Sequence, residues 1–577
     1  MRLISIVLCF LSSLSWAQVI HAHNDYEQPI PFWQAYHAGA GSIEVDVWAT
    51  NGQVWVAHDS TAFTRTWLEL YGNPIQQLAA QNKIRPFQLV IDLKSTWSRV
   101  WPLQKPWFEQ NAHVLYPQGP VQLVFSGAMP DPSLWSNLPA YIFFDGRPQK
   151  EYSRESWDRI AMVSDYFGRY VRWNGKGIPT ERECATLEKV IRDVHQKQRP
   201  IRFWAIPDDI TSWMYLSDLG VDFLNTDRVE EVKKYLADRP KSKGQIGQAY
   251  PVYQPKGNIQ SAPLTRVILM IGDGMGLAQI SALHLANQGN SHLANMPIVG
   301  LSNTRAADSE VTDSAAGATA MASGKKANNR AIGWIDGKPA TERLTEIAKS
   351  KKWKTGILTL GDWTDATPAA FYASQPDRSF QDAIASDFLK NSTDLLIGSG
   401  EDRVKRLHLV DSLQAMGFHF SLTSLPSFFV QDSLGLSNVN GRIPLRNWLD
   451  TCFQVLTPHS FFLVVEGAQI DYGGHANDLP YIVAEMADFD QGVGRALAFV
   501  DENPGTLLVV TADHETGGLT ILGGNQARGE VEGHFSTHDH SGSWVPVFAY
   551  GTGAELFGGV YSNSEIFHKI KMLIKKD

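Results

Sequence analysis

A stretch without apolar periodicity divides this chain into two parts that carry the same kind of pattern. From 237 to 263 the sequence reads ADRPKSKGQIGQAYPVYQPKGNIQSAP and is rich in Pro, Gly, Gln and Lys, which is typical of a linker. On either side, short apolar runs alternate with segments of helical periodicity, which indicates parallel sheets with crossover helices. Because 577 residues exceed what one hydrophobic core usually supports, we predict two α/β domains, at 19–236 and 264–577.

The first 17 residues have the features of a cleaved export signal. An early cation, Arg2, precedes an apolar run from Leu3 to Leu14, and the small residues Ser15 and Ala17 occupy the positions that a signal peptidase reads. This run is short for a transmembrane helix, and no later segment reaches about 18 uninterrupted apolar residues. We therefore predict a secreted or periplasmic protein with no stable membrane span.

The charge of the chain argues against one class of partner. Lys and Arg number 51 against 60 Asp and Glu, which gives a net charge of -9 at pH 7, and no basic stripe is present. A general nucleic-acid binder needs such a stripe to release counterions, so we predict no nucleic-acid partner. A small anionic substrate remains compatible, because bound divalent cations can invert the local field.

Eight candidate strands follow one another in the first half of the chain. They read QVIHAH, SIEVDVW, QLVIDLK, VQLVFSG, AYIFFDG, IAMVSDYF, IRFWAI and DFLNTD, and amphipathic helices such as Thr180 to Gln196 fit between several of them. Eight strands with intervening helices predict a (β/α)₈ TIM-type barrel, in which the chemistry lies where the strands end. The side chains His23, Glu44, Asp46 and Asp92 fall at such ends.

These residues suit the cleavage of a phosphodiester. Glu44 and Asp46 alternate on one predicted strand, so both side chains face the same side and can share a divalent cation, Mg²⁺ or Ca²⁺. Asp92 ends the VIDLK segment, and His58 follows a further strand in VWVAHD. Together with His23, this gives two imidazoles around a carboxylate-bound ion, the arrangement that acid/base cleavage of a phosphodiester needs.

The segments AHND, IEVDVW, VAHD, IDLK and FLNTD, between about 19 and 236, resemble the glycerophosphodiester phosphodiesterase and phosphatidylinositol phospholipase C superfamily. The resemblance implies that His23 and His58 are the base and the acid. It also implies that Glu44, Asp46 and Asp92 are the ligands of one divalent cation.

Two departures from that superfamily pattern leave alternatives open. The usual His-Arg-Gly is His23-Asn24-Asp25 in this chain, and the third carboxylate is Asp92 rather than Glu. His21, which lies on the same face as His23, is therefore an alternative catalytic imidazole. A catalytically inactive barrel that serves as a binding or tethering module is the alternative function.

Acidic residues and His follow several strands of the second half. The segments RVILMIG, KTGILTL, FFLVVEG and TLLVVTA are predicted strands, and open α/β sheets bind ligands at the carboxyl ends of their strands. The side chains that these strands bring toward one edge are Asp273, Asp365, Glu466, Asp513 and His514.

The segment VTDSAAGATAMASGKK places Ser314 at the start of a predicted helix. There the unpaired N–H groups and the helix dipole favour an anion, although a serine in this place is commonly only an N-cap. A serine hydroxyl is a poor nucleophile at neutral pH unless a base or a coordinated metal ion activates it. Metal-ligating side chains occur in the surrounding segments, with carboxylates and imidazoles that suit zinc and a glutamate that suits magnesium: Asp273, Glu466, Asp471, His475, Asp513, His514 and His540.

In their order from about 265 to 577, these segments resemble the alkaline phosphatase family, which implies an αβα sandwich. The resemblance implies that Ser314 attacks phosphorus and that Asp273 bridges two metals. It further implies two Zn²⁺ and one Mg²⁺. The ligands of the first zinc would be Asp471, His475 and His540. Those of the second zinc would be Asp273, Asp513, His514 and the Ser314 oxygen. Those of the magnesium would be Asp273, Thr367 and Glu466, with Asp365 bound to it through water.

Two further positions bear on phosphate binding. Arg378 in QPDRS resembles the guanidinium that binds two non-bridging phosphate oxygens in that family, and a planar fork suits this task. A surface salt bridge is the alternative role for Arg378. Tyr472 follows Asp471 where family members often carry Lys, His or Trp, and we interpret His534 and His538 as ordinary loop histidines.

The sequence thus predicts a metal-dependent phosphomonoesterase that acts through a phosphoserine intermediate, fused to a domain that cleaves glycerophosphodiesters and supplies it with substrate. The predicted partners are small phosphomonoesters and phosphodiesters. Cleavage of diesters or phosphonates by the second domain is an alternative, which Ser314 and the complete third-metal set disfavour. The alcohol portion of the substrate and the formation of a homodimer stay open.

Overall fold

The chain forms two compact units, which divide between Asp238 and Arg239. In this computed structural model, the described residues are 18–60, 63–257, 262–416, 428–430 and 443–576. The predicted signal peptide, residues 1–17, lies outside them. No helix in these ranges is both long enough and apolar enough to cross a bilayer. We call the two parts the barrel unit, up to Asp238, and the sheet unit, from Arg239.

The barrel unit contains a closed barrel of eight parallel strands in chain order. Strand β1 pairs with both β2 and β8, which closes the barrel, and a hairpin extends antiparallel from β2. The eight predicted strands are the eight observed ones, so the (β/α)₈ prediction is confirmed. Their bounds are β1 Val19–Ala22, β2 Ser42–Thr50, β3 Phe87–Leu93, β4 Val121–Gly127, β5 Ile142–Gly146, β6 Ile160–Tyr166, β7 Ile201–Trp204 and β8 Phe223–Thr226.

Helices connect most of these strands. The longest, α5, begins with a capping box in which the Thr180 side chain accepts from the Glu183 backbone N–H and Glu183 accepts from the Thr180 N–H. Its buried residues Leu187, Ile191 and Val194 recur at helical spacing and face the strands. The helices are α1 Trp33–Ala38, α2 Asn73–Ala80, α3 Trp97–Gln110, α4 Arg154–Trp157, α5 Glu181–Gln196, α6 Ile210–Asp218 and α7 Val229–Asp238.

The sheet unit is built on a nine-stranded sheet. Its order is β13-β12-β11-β14-β9-β15-β16-β10-β17, and only β16 runs antiparallel to its neighbours in the described residues. The four predicted strands, β11, β14, β9 and β15, are adjacent at the centre of the sheet. The bounds are β9 Arg266–Gly272, β10 Ile298–Asn303, β11 Lys354–Asp362, β12 Leu395–Ser399, β13 Phe428–Val430, β14 Phe461–Gly467, β15 Thr506–Thr511, β16 Val545–Gly551 and β17 Gly559–Ser562.

Helices cover both faces of this sheet. Along β9, Ile268 and Met270 belong to one hydrophobic cluster, while Val267, Leu269 and Ile271 belong to the other. This alternation gives the predicted αβα sandwich, because successive side chains of a strand point to opposite faces. The helices are α8 Leu277–Ala286, α9 Ser314–Ser323, α10 Leu344–Ser350, α11 Ala366–Ala369, α12 Gln381–Asn391, α13 Glu401–Arg406, α14 Leu409–Ala415, α15 Leu445–Leu456, α16 Gln469–His475, α17 Leu479–Glu502 and α18 Ser564–Lys576.

The segment between 237 and 263 carries more structure than its composition indicates. Residues Lys243–Gln245 form a strand that pairs antiparallel with Glu530–Phe535. Further along, the Tyr250 hydroxyl donates to Asp490 at 2.7 Å. This part of the predicted linker therefore belongs to the sheet unit.

Candidate active sites

The central strands of the sheet unit bring acidic residues to one edge. Asp273 directly follows β9, Glu466 lies near the end of β14, and Asp513 and His514 follow β15. Helix α16 begins two residues after β14 and adds Asp471 to the same region. The carboxyl ends of adjacent parallel strands meet, so residues as far apart in sequence as Asp273 and His514 share one site.

Two groups of metal-ligating atoms lie at this edge. Ligand atoms of Asp471, His475 and His540 lie within 4.8 Å of one another. The same holds for Asp273, Asp513 and His514. The two groups adjoin, because the imidazole rings of His514 and His540 stack with centroids 3.5 Å apart. These groups contain the carboxylates and imidazoles that the sequence assigns to the two predicted zinc sites.

Hydrogen bonds fix the tautomers of two of the histidines. Nδ1 of His475 lies 2.6 Å from the His538 carbonyl oxygen, and Nδ1 of His540 lies 2.8 Å from the Thr312 carbonyl oxygen. Since a carbonyl can only accept, each Nδ1 is the donor, which leaves Nε2 as the nitrogen that can bind a metal ion when the ring is neutral. Metal-binding histidines commonly have this arrangement. His538 takes part through its backbone carbonyl.

Ser314 is the first residue of α9 and is buried beside these groups. Its Oγ lies 3.2 Å from Nε2 of His514. The N-cap is Asp313, whose side chain accepts from the Ala316 N–H at 3.0 Å. The alternative in which Ser314 is only an N-cap is therefore wrong. Arg378 donates from Nη1 to Asp313 Oδ2 at 3.2 Å, so the guanidinium lies next to the first turn of α9.

Hydrogen bonds join the residues of the predicted third metal site to one another or to neighbouring side chains. The Thr367 hydroxyl donates to Asp273 Oδ2 at 3.3 Å, and the Tyr472 hydroxyl lies 3.4 Å from Asp365 Oδ2. The Thr359 hydroxyl donates to Glu466. Sequence reasoning missed Thr359, although the alignment of β11 with β14, which makes it the direct neighbour of Glu466, could have indicated it.

The electrostatics of this site match what divalent cations require. Burial and repulsion between carboxylates raise the pKa of Asp273 well above its usual value, that of Glu466 to about 8 and that of Asp513 to about 7. Oδ1 of Asp273 and Oδ2 of Asp513 are buried and have no hydrogen-bond partner among the described residues. Burial and the nearby His540 lower the pKa of His514, which keeps its ring neutral. Buried carboxyls that resist ionisation, with orphaned oxygens beside the neutral His514 ring, fit bound cations, which would offset the repulsion.

The barrel unit carries a third group of ligand atoms. Oxygen atoms of Glu44, Asp46 and Asp92 lie within 4.8 Å of one another, on the adjacent strands β2 and β3. Asp46 and Asp92 are register partners on these strands. Oδ1 of Asp46 is buried and has no hydrogen-bond partner in the described part of the chain. An all-oxygen set of this kind fits a hard cation such as Mg²⁺ or Ca²⁺.

Cationic side chains that sequence reasoning missed already pair with these carboxylates. Lys94 Nζ lies 3.0 Å from Asp46 Oδ2 and 2.6 Å from Asp92 Oδ2. Arg202, on β7, forms an ion pair with Glu44. Lys94 belongs to the IDLK motif, which could have indicated it, whereas the pairing of Arg202 depends on the closure of the barrel.

The structure distinguishes the two candidate histidines of β1. His21 is fully buried, with Nδ1 2.8 Å from Ser42 Oγ and Nε2 2.7 Å from Glu44 Oε2, and burial and Arg202 lower its pKa to about 3. The His23 side chain is 26% exposed, and its Nδ1 lies 2.9 Å from Asp227 Oδ1. Burial lowers the pKa of His23, but Asp227 outweighs it and raises the pKa above its usual value. A solvent-accessible, carboxylate-paired imidazole suits proton transfer, which favours His23.

His58, the other predicted imidazole, is exposed above the carboxylates. Its Nδ1 lies 3.3 Å from Asp46 Oδ2. The same oxygen accepts a hydrogen bond from the Tyr26 hydroxyl at 2.9 Å. Tyr26 is a further site residue that the sequence patterns did not single out.

Family models match both units. The model described as alkaline phosphatase matches residues 265–402 and 445–534, and the model described as AIM6-like phosphodiesterase domain matches residues 13–104. The fusion of two phosphoesterase-like domains that the sequence predicts is thereby confirmed.

Individual relatives match the sheet unit. The chain is 33% identical over 309 residues to alkaline phosphatase 3 of Bacillus subtilis, and the match covers 48% of this chain and 66% of that protein. It is 33% identical over 300 residues to the alkaline phosphatase of Schizosaccharomyces pombe, and the match covers 44% of this chain and 56% of that protein. The chain thus spans just under two thirds, or less, of the length of these relatives.

Solved structures match the same unit. The alkaline phosphatase from the Antarctic bacterium TAB5 is 35% identical, with a TM-score of 0.52, and the match covers 55% of this chain and all of that chain (100%). A variant of the TAB5 enzyme with Mg bound in its M3 site is 36% identical, with a TM-score of 0.51, over 56% of this chain and 99% of that chain.

Proposed function

Because this chain belongs to the alkaline phosphatase family through its sheet unit, we propose that this unit hydrolyses phosphomonoesters with Ser314 as the nucleophile. One observation carries the proposal. The Ser314 hydroxyl lies 3.2 Å from His514, a member of one ligand group, and the His514 ring stacks on His540 of the other. The hydroxyl is thus placed where cations held by both groups can activate it.

The side chains in the ligand groups support a proposal for the cations. We propose two Zn²⁺ and one Mg²⁺, of which Mg²⁺ has a parallel in the Mg that the TAB5 variant binds. The zinc ligands would be Asp471, His475 and His540 for one ion and Asp273, Asp513, His514 and Ser314 for the other; the magnesium ligands would be Asp273, Thr367 and Glu466, with Asp365 bound through water.

The side chains around Ser314 would bind and turn over the phosphoryl group. When bound, the cations would lower the pKa of the Ser314 hydroxyl and of a water molecule and offset the charge of the phosphate. The first-turn N–H groups of α9 and the Arg378 guanidinium would donate to the non-bridging oxygens, and Asp313 holds Arg378 in place. The Ser314 oxygen attacks phosphorus and releases the alcohol. Water then cleaves the phosphoserine, which frees phosphate and restores the hydroxyl.

We further propose that the barrel unit cleaves phosphodiesters, with glycerophosphodiesters as the expected substrates. His23 would act as the base and His58 as the acid, and Glu44, Asp46 and Asp92 would hold one divalent cation. Its phosphomonoester product is a substrate of the chemistry proposed for the sheet unit. The protein would be exported by residues 1–17 and release phosphate from diesters outside the cell.

A binding module is the second candidate for the barrel unit. The observation that favours it is the pairing of all three carboxylates with Lys94 and Arg202, which offsets two of their three negative charges in the absence of a cation. The module would then tether the phosphatase to envelope material or lipid head groups.

One substrate distinguishes these candidates. Given glycerophosphoethanolamine and metal ions, the wild type should release inorganic phosphate. Ser314→Ala should stop at accumulated glycerol phosphate or ethanolamine phosphate, and His58→Ala should leave the diester intact. Matched controls are Ser323→Ala, at the other end of α9, and His37→Ala, on the exposed face of α1, which should both behave as wild type. An intact diester with the metal-loaded wild type would rule out the diesterase and leave the binding module.

A further inference from the structure

Two aromatic side chains stand exposed at the ends of β6 and β7. Tyr166 and Trp204 are the last residues of these strands and are register partners. Their ring centroids are 4.9 Å apart, with 37° between the planes, and the residues are 43% and 37% exposed. Scattered exposed apolar residues are normal, but two large adjacent rings in water indicate a surface that binds something.

The strand geometry directs both rings into the mouth of the barrel. Arg202, two residues before Trp204, pairs with Glu44 of β2 and therefore points into the barrel interior. Side chains two residues apart on a strand share a face, so Trp204 lies on the same side, nearer the carboxyl end. Its register partner Tyr166 faces the same way. In an eight-stranded barrel β6 and β7 lie opposite β2 and β3, the strands that carry Asp46 and Asp92.

The loop after β6 accommodates the Tyr166 ring. A Cβ atom on Gly168 would come within 2.5 Å of the Tyr166 ring, so glycine leaves the space that the ring occupies. The charges around the rings are mixed, because Arg169 pairs with Asp165 at 3.1 Å and the segment after Trp204 carries Asp208 and Asp209. Recognition of a ligand here therefore depends on the rings rather than on charge.

We propose that Tyr166 and Trp204 form a subsite for the alcohol portion of the phosphodiester, and that they select an alcohol that carries an aromatic ring. The proposal rests on the phosphodiesterase activity proposed for the barrel unit. Aromatic rings gain from stacking on one another in offset or tilted arrangements, whereas glycerol offers no flat face to two rings. The phosphate would lie toward Asp46 and Asp92, with the ring across the mouth.

The test compares substrates within each variant. In the full-length Ser314→Ala protein, which accumulates monoester, kcat/KM is measured for glycerophosphoglycerol, phenyl glyceryl phosphate and uridine 5′-glyceryl phosphate. The ratio of each ring-bearing diester to glycerophosphoglycerol is then compared between variants, so that differences in leaving-group reactivity cancel. We expect Trp204→Ala and Tyr166→Ala to lower this ratio about five- to tenfold, mainly through KM.

Three variants separate stacking from general damage. Trp204→Phe, which keeps a ring, should retain most of the ratio. Gly168→Ala, which displaces the Tyr166 ring, should lower it as Tyr166→Ala does. Tyr116→Ala changes a tyrosine that is 49% exposed but precedes β4 at the opposite end of the barrel, and should leave the ratio unchanged.

The outcomes distinguish the subsite from the activity on which it rests. A lower ratio for the phenyl diester alone assigns the subsite to aryl alcohols, and a lower ratio for both diesters extends it to nucleosides. If the parent protein cleaves the diesters and the alanine variants keep its ratios, the subsite is wrong while the diesterase stands. If the parent cleaves none of the three, both proposals fall.

Discussion

Both candidate sites hold buried carboxylates, but their charge is offset in different ways. In the barrel unit, Lys94 pairs with Asp46 and Asp92, and Arg202 pairs with Glu44. In the sheet unit, no lysine or arginine among the described residues forms an ion pair with the carboxylates Asp273, Glu466 and Asp513. Most of the negative charge of the barrel site is therefore offset without a cation, whereas the sheet-site carboxylates ionise readily only when bound cations offset their charge.

The buried glutamates of the two sites, Glu44 and Glu466, have pKa shifts in opposite directions. Burial opposes ionisation of Glu44, but Arg202 and His21 outweigh it and hold its pKa well below the usual value. No lysine or arginine in the described residues pairs with Glu466 or Asp513, and burial raises the pKa of Glu466 to about 8 and that of Asp513 to about 7. One aspartate in each site departs from this contrast, because burial raises the pKa of Asp46 despite Lys94, and His475 outweighs burial and holds the pKa of Asp471 below its usual value. Glu44 is thus a stable anion, whereas Glu466 and Asp513 are buried acids whose ionisation bound cations would favour.

The largest expected effect is that of chelation on thermal stability. Removing divalent cations should lower the unfolding temperature of the sheet unit by on the order of 10–20 °C, because several cations that bind only the folded state are lost. The barrel unit should shift by only about 3 °C, since Lys94 and Arg202 remain. Differential scanning calorimetry measures both transitions, and adding Zn²⁺ and Mg²⁺ back identifies that of the sheet unit. A larger shift for the barrel unit would contradict the comparison.

Most of the fold could be predicted because local patterns determine it. The eight barrel strands and the four central strands of the sheet are continuous apolar runs, and a capping box marks the start of α5 at Thr180. The segment after Asp238 was harder to predict, because Lys243–Gln245 becomes a strand only by pairing with Glu530–Phe535, far along the chain.

The candidate sites divide in the same way. Ser314 and the metal-ligating residues lie in motifs whose residue types already indicate their chemistry. Arg202 lies in a strand that reads as ordinary core, 158 positions from Glu44, and only the closed barrel brings the two together. Thr359 likewise contacts Glu466 because β11 and β14 are neighbours in the sheet. Pairings that arise from tertiary structure leave no local sequence signal.

The second prediction concerns the pH dependence of the metal-free protein. The pKa values of Glu466 and Asp513 in the folded state lie above their ordinary values of 4.5 and 3.8, which apply in the unfolded state. The folded state therefore holds more protons, and stability falls as pH rises toward 8. Between pH 6 and pH 8 the unfolding temperature of the chelated sheet unit should fall by on the order of 5 °C.

Two substitutions and one loading experiment check this interpretation. Glu466→Gln and Asp513→Asn, studied without metal, should each flatten the decline, because a neutral amide has no proton to lose. Saturation with Zn²⁺ and Mg²⁺ should flatten it in the wild type. The barrel unit should change less over this range, since the stabilising ionisation of Glu44 is complete above its ordinary pKa of 4.5. A metal-free sheet unit that gains stability toward pH 8 would refute the assigned pKa directions.

The smallest expected effect tests whether Lys94 competes with a cation in the barrel unit. Its ammonium lies between the Asp46 and Asp92 carboxylates, so a divalent cation bound there meets a like charge. Lys94→Met should tighten Mg²⁺ or Ca²⁺ binding by about tenfold, a modest change because the lysine is partly exposed. Isothermal titration calorimetry of protein whose sheet unit is already loaded with cations measures this affinity, and Asp46→Asn identifies the heat of binding at the barrel site.

Lys94→Arg keeps the charge and should bind the cation as the wild type does. If Lys94→Met binds more weakly instead, Lys94 supports the metal site by positioning its carboxylates, and the charge balance of the barrel unit would be a consequence of metal binding rather than a substitute for it.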